Sequence, residues 1–216
     1  MIKRVVLVGA TGLVGGAVLN TLKDNPEYSI EVISRAKVDG CDKSTNIYQH
    51  IVNFDQLDQH AEIIQGDVLV CALGTTIKTV GSKEKFRHVD FDYVVNLAKL
   101  AATNGVKQLI VISAVGANPD SKVFFSKTKG EMEVAIKALG FDSINILRPS
   151  LLVGKRKEFR LGEHLGIWLT APIVKLLPQL YRPISALDLS NKIVQLISKP
   201  EPGIHLYQGN RLRTTV

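Results

Sequence analysis

The three glycines Gly9, Gly12 and Gly15 follow the apolar residues 5–8 in a spacing that suits the binding of a phosphate group. Gly9 permits a tight turn, Gly12 leaves the backbone open to a phosphate, and Gly15 lets a helix lie close to a strand. The N-terminus of such a helix offers free N–H groups and the positive end of its dipole to an anion. The pattern therefore predicts a pyrophosphate site, with a turn that binds no ligand as the alternative. The predicted loop comprises Gly9, Ala10, Thr11, Gly12, Leu13, Val14 and Gly15.

A basic residue follows the second predicted strand, at the position that distinguishes the two pyridine dinucleotides. In this kind of fold a carboxylate there accepts hydrogen bonds from the adenosine ribose of NAD. Here the strand ends in Ser34 and Arg35, with Lys37 close by. A guanidinium binds a 2′-phosphate through charge-assisted hydrogen bonds of about 1.5–3 kcal/mol, whereas a carboxylate repels it. We therefore predict that NADP(H) is preferred over NAD(H), and the alternative is that Arg35 is an ordinary surface arginine.

Strands and helices alternate along the chain, which predicts an α/β fold with a doubly wound parallel sheet of the Rossmann-like type. Apolar runs predict six strands, at residues 5–8, 29–34, 46–52, 67–73, 108–113 and 143–148. Helical periodicity predicts intervening helices at residues 13–24, 56–65, 89–103 and 121–139. Ligands bind such sheets at the carboxyl ends of the strands. Those ends carry Gly9, Ser34, Asn53, Gly74, Ser113 and Arg148.

Two of these strand ends are expected to contact the cofactor directly. Asn53 and Phe54 follow the third strand and are expected near the adenine. Gly74 follows the fourth strand and would let a cofactor pass close, with an ordinary loop glycine as the alternative. The hydroxyl groups of Thr75 and Thr76 would then be available to a ribose or a phosphate.

The chain is predicted to form a single domain over residues 1–216. Residues 1–150 are the expected dinucleotide-binding core, and residues 151–216 the expected smaller C-terminal lobe for substrate or dimer contacts. The apolar helix predicted at residues 163–177 is interpreted as core or a dimer contact, with a membrane-surface helix as the alternative. A further helix and a last strand are predicted at residues 185–198 and 204–207.

Composition narrows the classes of function. The net charge is +7, but the basic residues are scattered apart from the short run 155–157, so a nucleic-acid partner is not expected. Cys41 and Cys71 have no metal-ligand spacing, so no metal is predicted, and two cysteines fit a reducing compartment. No stretch is long and apolar enough for a transmembrane segment, so the cytoplasm is the expected location.

Several sequence motifs occur together in this chain. They are the glycine loop 9–15, Leu-Gly-Thr-Thr at 73–76, Ser113, Lys-Gly-Glu-Met-Glu at 129–133 and Arg-Pro-Ser at 148–150. Through about residue 190 the chain resembles the atypical short-chain dehydrogenase/reductases, and within them the Tat-interacting-protein-type oxidoreductases. The resemblance implies a Rossmann fold, NADPH binding and carbonyl reduction. The further cofactor contacts that it implies are at Leu73, Gly74, Thr75, Lys129, Arg148, Pro149 and Ser150.

The resemblance also implies a catalytic Ser, Tyr and Lys, of which one is missing. In active members the Tyr protonates the carbonyl oxygen, and a Lys four residues later lowers the pKa of the phenol. Ser113 and Lys129 match, but the tyrosine position is Phe125, and no Tyr-x-x-x-Lys occurs anywhere in the chain. A phenyl ring cannot donate a proton, and loss of a general acid typically costs about 10²–10⁴ in rate.

Three hypotheses about function follow. The first is an NADPH-dependent oxidoreductase of unknown small-molecule substrate that protonates through water, Ser113 or another donor near Lys129. The second is a catalytically weak or inactive NADP(H)-binding module that reports redox state to a protein partner, which Phe125 favours. The third is a nucleic-acid or membrane-surface protein that uses its basic charge. A protein partner or a homodimer is compatible with the first two.

Overall fold

A seven-stranded parallel sheet forms the centre of the protein, in a computed structural model that describes residues 2–154 and 178–213. The strands are β1 (Lys3–Val8), β2 (Tyr28–Ser34), β3 (Ile47–Ile51), β4 (Val68–Cys71), β5 (Gln108–Ile112), β6 (Ser143–Arg148), β7 (Leu152–Val153), β8 (Ile184–Ser185) and β9 (Gly203–Gln208). The sheet order is β3-β2-β1-β4-β5-β6-β9, while β7 and β8 pair separately. This arrangement confirms the predicted doubly wound, Rossmann-like α/β fold.

Helices cover both faces of the sheet. They are α1 (Leu13–Leu22), α2 (Ile77–Val80), α3 (Lys83–Arg87), α4 (Tyr93–Thr103), α5 (Phe124–Lys137) and α6 (Ala186–Ser198). Successive residues of β1 point to opposite faces: Val5 and Leu7 contact the core shared with α1 and α6, whereas Val6 and Val8 contact the core shared with α4 and α5. Because both faces are covered, strands β1, β4 and β5 contain uninterrupted apolar runs, which made them recognisable in the sequence.

The short helix predicted at residues 56–65 has 3₁₀ rather than α-helical geometry and begins two residues earlier. The structure has two 3₁₀ turns over Phe54–Ile63, with non-helical backbone angles at Gln56 and His60. Within this segment only Phe54 and Leu57 are buried, so there is no long apolar face to stabilise a regular helix.

A π-helical turn, His88–Asp92, stands between α3 and α4 where the sequence predicted an ordinary helix from residue 89. The wider turn changes which side chains face inwards, and it leaves Asp90 buried. Phe86, just before the turn, is fully buried as well. The turn therefore brings an acidic side chain into the interior at the start of α4.

The described residues after 177 extend the same sheet and the same helix layer as the N-terminal core. Strand β9 pairs in parallel with β6, and α6 lies beside α1, where the hydroxyl oxygens of Thr21 and Ser190 are 2.9 Å apart. The predicted run 155–157 and the predicted helix 163–177 lie outside the described residues, so the division into a core and a smaller lobe stays a prediction. Within the described ranges, no helix has the length and apolarity that a membrane span requires.

Candidate functional site

A cleft of about 1030 Å³ opens at the carboxyl ends of the central strands. Its walls come from the glycine loop, the ends of β4 and β5, helix α5 and the segment after β6. It brings together many of the predicted site residues at the edge of the sheet where ligands bind in folds of this kind. The predicted residues that line it are Ala10, Thr11, Gly12, Leu13, Val14, Leu73, Gly74, Thr75, Ser113, Phe125, Lys129, Pro149 and Ser150.

The three glycines of the loop have different roles. Gly9 has a φ of +89°, and a Cβ on it would lie 2.5 Å from the carbonyl oxygen of Ala72. A Cβ on Gly15 would lie 2.2 Å from the carbonyl oxygen of Gly9. These two glycines are therefore required by the turn and by the close approach of α1, and neither lines the cleft.

Gly12 is the glycine of the three that faces the cleft. It is the N-cap residue of α1 in an extended conformation, and no side chain caps the helix there. A Cβ on Gly12 would have one contact within 4 Å, at 3.2 Å from the carbonyl oxygen of Gly9. The first turn of α1 carries no acidic residue, so its N–H groups and positive dipole end are open to an anion.

Two predicted residues at the end of β2 do not line the cleft. The Ser34 hydroxyl donates to the carbonyl oxygen of Ala36 at 2.8 Å and accepts from the side-chain amide of Gln49 at 2.9 Å. Arg35 is exposed, whereas Lys37 lines the cleft, with its ammonium 3.2 Å from a carboxylate oxygen of Asp42. The basic side chain at this end of the cleft is therefore Lys37, which the sequence analysis noted without assigning it.

Asn53 and Phe54 also lie outside the lining of the cleft. The side-chain oxygen of Asn53 accepts the backbone N–H of Asp55 at 3.1 Å, and Phe54 is buried with its ring centroid 5.4 Å from that of Tyr93. Both residues therefore stabilise the segment after β3, and their contact with an adenine stays a prediction.

A hydrogen-bonded cluster joins the segment after β3 to the π-helical turn. The Tyr93 hydroxyl donates to Oδ1 of Asp55 at 2.7 Å, and Nε2 of His88 lies 2.7 Å from the same oxygen. Burial and then the Asp55 carboxylate raise the pKa of Tyr93 to about 12, while the charge of Arg35 acts in the opposite direction. Arg35 is therefore close to this cluster, which fits its place after β2, the strand that pairs with β3.

A buried ion pair lies in the cleft beside Phe125. The Lys129 ammonium is 2.7 Å from Oδ1 of Asp90, and the two side chains are 5% and 1% exposed. The other oxygen of Asp90 accepts the backbone N–H of Thr75 at 2.9 Å, and Lys129 donates to the carbonyl oxygen of Ile112 at 3.4 Å. Sequence analysis missed Asp90 because apolar periodicity does not reveal the π-helical turn that buries it.

A second buried network holds Ser113. Its hydroxyl donates to Oε1 of Glu133 at 2.6 Å. Arg148 donates to both oxygens of the same carboxylate, at 2.8 Å from Nε and 2.6 Å from the terminal nitrogen. These bonds raise the pKa of Arg148, and they hold its guanidinium on Glu133 outside the cleft lining.

Glu133 was also missed, although the sequence carries a signal for it. Phe125, Lys129 and Glu133 are spaced by four residues, which places them on one face of α5. Phe125 lines the cleft, and its ring centroid lies 5.4 Å from that of the buried Phe86. The residue that occupies the expected tyrosine position is thus held in an aromatic contact, next to the Asp90–Lys129 pair.

The sheet order, the glycine turn after β1 and the cleft with Ser113 and Lys129 define an atypical short-chain dehydrogenase/reductase, with the fold of NAD(P)-binding oxidoreductases. The chain belongs to the HIM1 family, whose family model matches residues 39–177. The resemblance noted in the sequence is thereby confirmed.

Curated relatives cover most of the chain. Protein FMP52, mitochondrial, of Candida albicans is 33% identical over 204 residues, which are 89% of this chain and 87% of the relative. Protein HTATIP2 of Rattus norvegicus is 35% identical over 167 residues, which are 76% of this chain and 69% of the relative.

Solved structures share the fold at low sequence identity. The enzyme WbmH of Bordetella bronchiseptica, in complex with NAD⁺, is 13% identical with a TM-score of 0.74, over 97% of this chain and 77% of that one. The oxidoreductase ylbE of Lactococcus lactis is 19% identical with a TM-score of 0.66, over 90% of this chain and 84% of that one.

Proposed function

We propose that this chain binds NADP(H) in the cleft and has little carbonyl reductase activity, so that it reports the redox state of the cofactor to a protein partner. Gly12 supports the binding, because it leaves the N-terminus of α1 open to a pyrophosphate inside the cleft. The complex of WbmH with NAD⁺ supports it as well, since that protein shares the fold. The cytoplasmic location expected from the sequence is also a proposal. The relative FMP52 of Candida albicans is named mitochondrial, so the two possible locations differ.

The main support for low activity is that neither Phe125 nor Ser113 can donate a proton to a substrate. Phe125 has none to donate, and the Ser113 hydroxyl donates its proton to Glu133 at 2.6 Å. A serine held in this way offers lone pairs to a ligand but not a hydrogen. Two of the three residues expected to act on a carbonyl oxygen are therefore unsuited to protonate it.

A second candidate function is carbonyl reduction with water as the proton source. It is favoured because Ser113 and Lys129 both line the cleft, where they could position a carbonyl group and a nicotinamide ribose. The lobe expected to contact the substrate, residues 151–216, contributes Leu152, Val153 and Gly154 to the described part of the cleft. In this alternative the smaller C-terminal lobe over residues 151–216 selects the substrate.

Titration with cofactor tests the proposal. We expect saturable binding of NADPH by calorimetry and by nucleotide fluorescence, with oxidation of NADPH near the background rate for a panel of aldehydes, ketones and quinones. Rapid turnover that is lost in Lys129→Ala would favour the second candidate. No saturable binding of either NADPH or NADH would contradict both.

The basic residues after β2 are expected to set the preference for NADPH. Replacing Arg35 or Lys37 with Ala removes a cation that can bind the 2′-phosphate, at about 1.5–3 kcal/mol for each charge-assisted bond. Because 1.4 kcal/mol is tenfold, NADPH affinity should fall by about 10–100-fold in the variant that loses this contact, while NADH affinity stays unchanged. Lys99→Ala, an exposed substitution on α4, is the control. Equal losses for both cofactors would assign these residues a general rather than a 2′-phosphate role.

A further inference from the structure

We propose that Asp90 neutralises the Lys129 ammonium and is thus a second determinant of low activity beside Phe125, a positioning residue that acts through Lys129. This inference rests on the proposed function. It assigns a role to a residue that none of the sequence motifs contains.

The distance between the two charged groups defines a buried ion pair, in which Oδ1 of Asp90 makes no aligned hydrogen bond among the described residues. The Lys129 ammonium and the Asp90 carboxylate are 2.7 Å apart, and both side chains are almost completely buried. The N–H of Thr75 holds the second carboxylate oxygen, and the π-helical turn fixes the backbone of Asp90. Attraction between opposite charges is strong where water is excluded, so the two groups behave as one neutral unit.

Neutralising Lys129 removes what a catalytic lysine would supply. A positive charge favours the ionised form of a nearby phenol and thereby lowers its pKa, but a carboxylate in contact with that charge opposes the effect. With Asp90 in place, Lys129 is suited to hold a ligand rather than to drive proton transfer.

Other ionisable groups near the pair do not replace the lost charge. Burial raises the pKa of the Cys71 thiol to about 11, so Cys71 is neutral at physiological pH. Among the described lining residues, the remaining ionisable side chains are Lys37 and Asp39, which follow β2 at the far end of the cleft. The charged side chains that line the described cleft beside Phe125 are therefore Asp90 and Lys129, while the Glu133 carboxylate, one turn further along α5, is paired with Arg148.

The test compares Phe125→Tyr with the double variant Phe125→Tyr/Asp90→Asn. An amide oxygen at residue 90 can still accept the N–H of Thr75, so the substitution removes the charge and keeps the hydrogen bond. The introduced phenol is titrated by ultraviolet difference absorbance against the parent that retains Phe125. We expect it to titrate near its ordinary value of about 10 in the single variant and about one pH unit lower in the double variant.

Activity gives a second readout. In the double variant, hydride from NADPH reduces the carbonyl carbon while the introduced phenol protonates the oxygen and is reprotonated from solvent. We expect carbonyl reduction at least about tenfold faster than in Phe125→Tyr alone, since a matched general acid contributes about 10²–10⁴. Asp92→Asn, two residues further on the same turn and half exposed, is the matched control and should leave the phenol unchanged.

Asp90→Ser provides a second neutral variant, whose smaller side chain leaves room for water at Lys129 should the Asn variant fold poorly. If the introduced phenol has the same pKa in Phe125→Tyr and in the double variant, the proposed role of Asp90 is overturned, whether or not the cofactor binds. If the parent protein does not bind NADPH, the proposed function is contradicted instead. The phenol titration would still report on Asp90 in that case.

Discussion

The Gly12→Asp variant should lose NADPH affinity by at least about 100-fold while its fold remains as stable as that of the parent. The new carboxylate would stand at the N-terminus of α1, where the pyrophosphate is proposed to bind, and juxtaposed like charges cost several kcal/mol. In the protein without ligand, the same substitution should favour the folded state, because Asp is a preferred N-cap residue and Gly12 has no capping side chain. The new cap stabilises the fold by a few tenths of a kcal/mol. The strain from the 3.2 Å contact between the new Cβ and the carbonyl oxygen of Gly9 is of about the same size, so the net change in stability is small.

Gly12→Asn separates charge from bulk in this experiment. It caps the helix and fills the same space without the negative charge, so its NADPH affinity should lie between those of the parent and of Gly12→Asp. The measurements are a calorimetric NADPH titration and a thermal melt for each variant. Full NADPH affinity in Gly12→Asp would show that the pyrophosphate does not approach this turn.

Glu133→Ala should cost about 3–5 kcal/mol in the free energy of unfolding, because it leaves the charge of Arg148 without its buried partner. Glu133 is 1% exposed and accepts three hydrogen bonds, two from Arg148 and one from Ser113. Urea unfolding followed by circular dichroism measures the change. Domains are typically stable by about 5–15 kcal/mol, so a loss of this size would clearly lower the urea concentration at the unfolding midpoint.

Glu131→Ala is the matched control on the same helix. Glu131 is partly exposed and pairs with Arg87 and Lys127, so its removal should cost less than about 1 kcal/mol. Similar losses for the two variants would mean that Arg148 is stabilised by water once Glu133 is gone, and that the buried network contributes little.

The sheet could be read from the sequence because burial on both faces leaves continuous apolar runs. Residues 5–8 were assigned to a strand for this reason, and the structure places them in β1 (Lys3–Val8) at the centre of the sheet. Segments without such a run were harder to predict. The 3₁₀ turns over Phe54–Ile63 have no regular apolar period, so the sequence predicted a short helix there but not its 3₁₀ geometry.

The candidate site was predictable where backbone geometry dictates residue type, and not where side chains find partners across the fold. Gly9 and Gly15 are glycines because any Cβ would meet backbone atoms, so their spacing was visible in the sequence. Asp90 reaches Lys129 only through the π-helical turn, and Glu133 reaches Ser113 and Arg148 from a different element. Such contacts depend on tertiary structure and have no local signature.

The Ser113–Glu133–Arg148 network joins the end of β5 to α5 and β6, three elements separated along the chain. None of them can move away from the others without exposing a charged group that has lost its partner. Local opening at this end of the cleft must therefore break these hydrogen bonds together. The wall of the cleft at Ser113 is thus preorganised by bonds within the protein, and these bonds orient the hydroxyl that a ligand would meet.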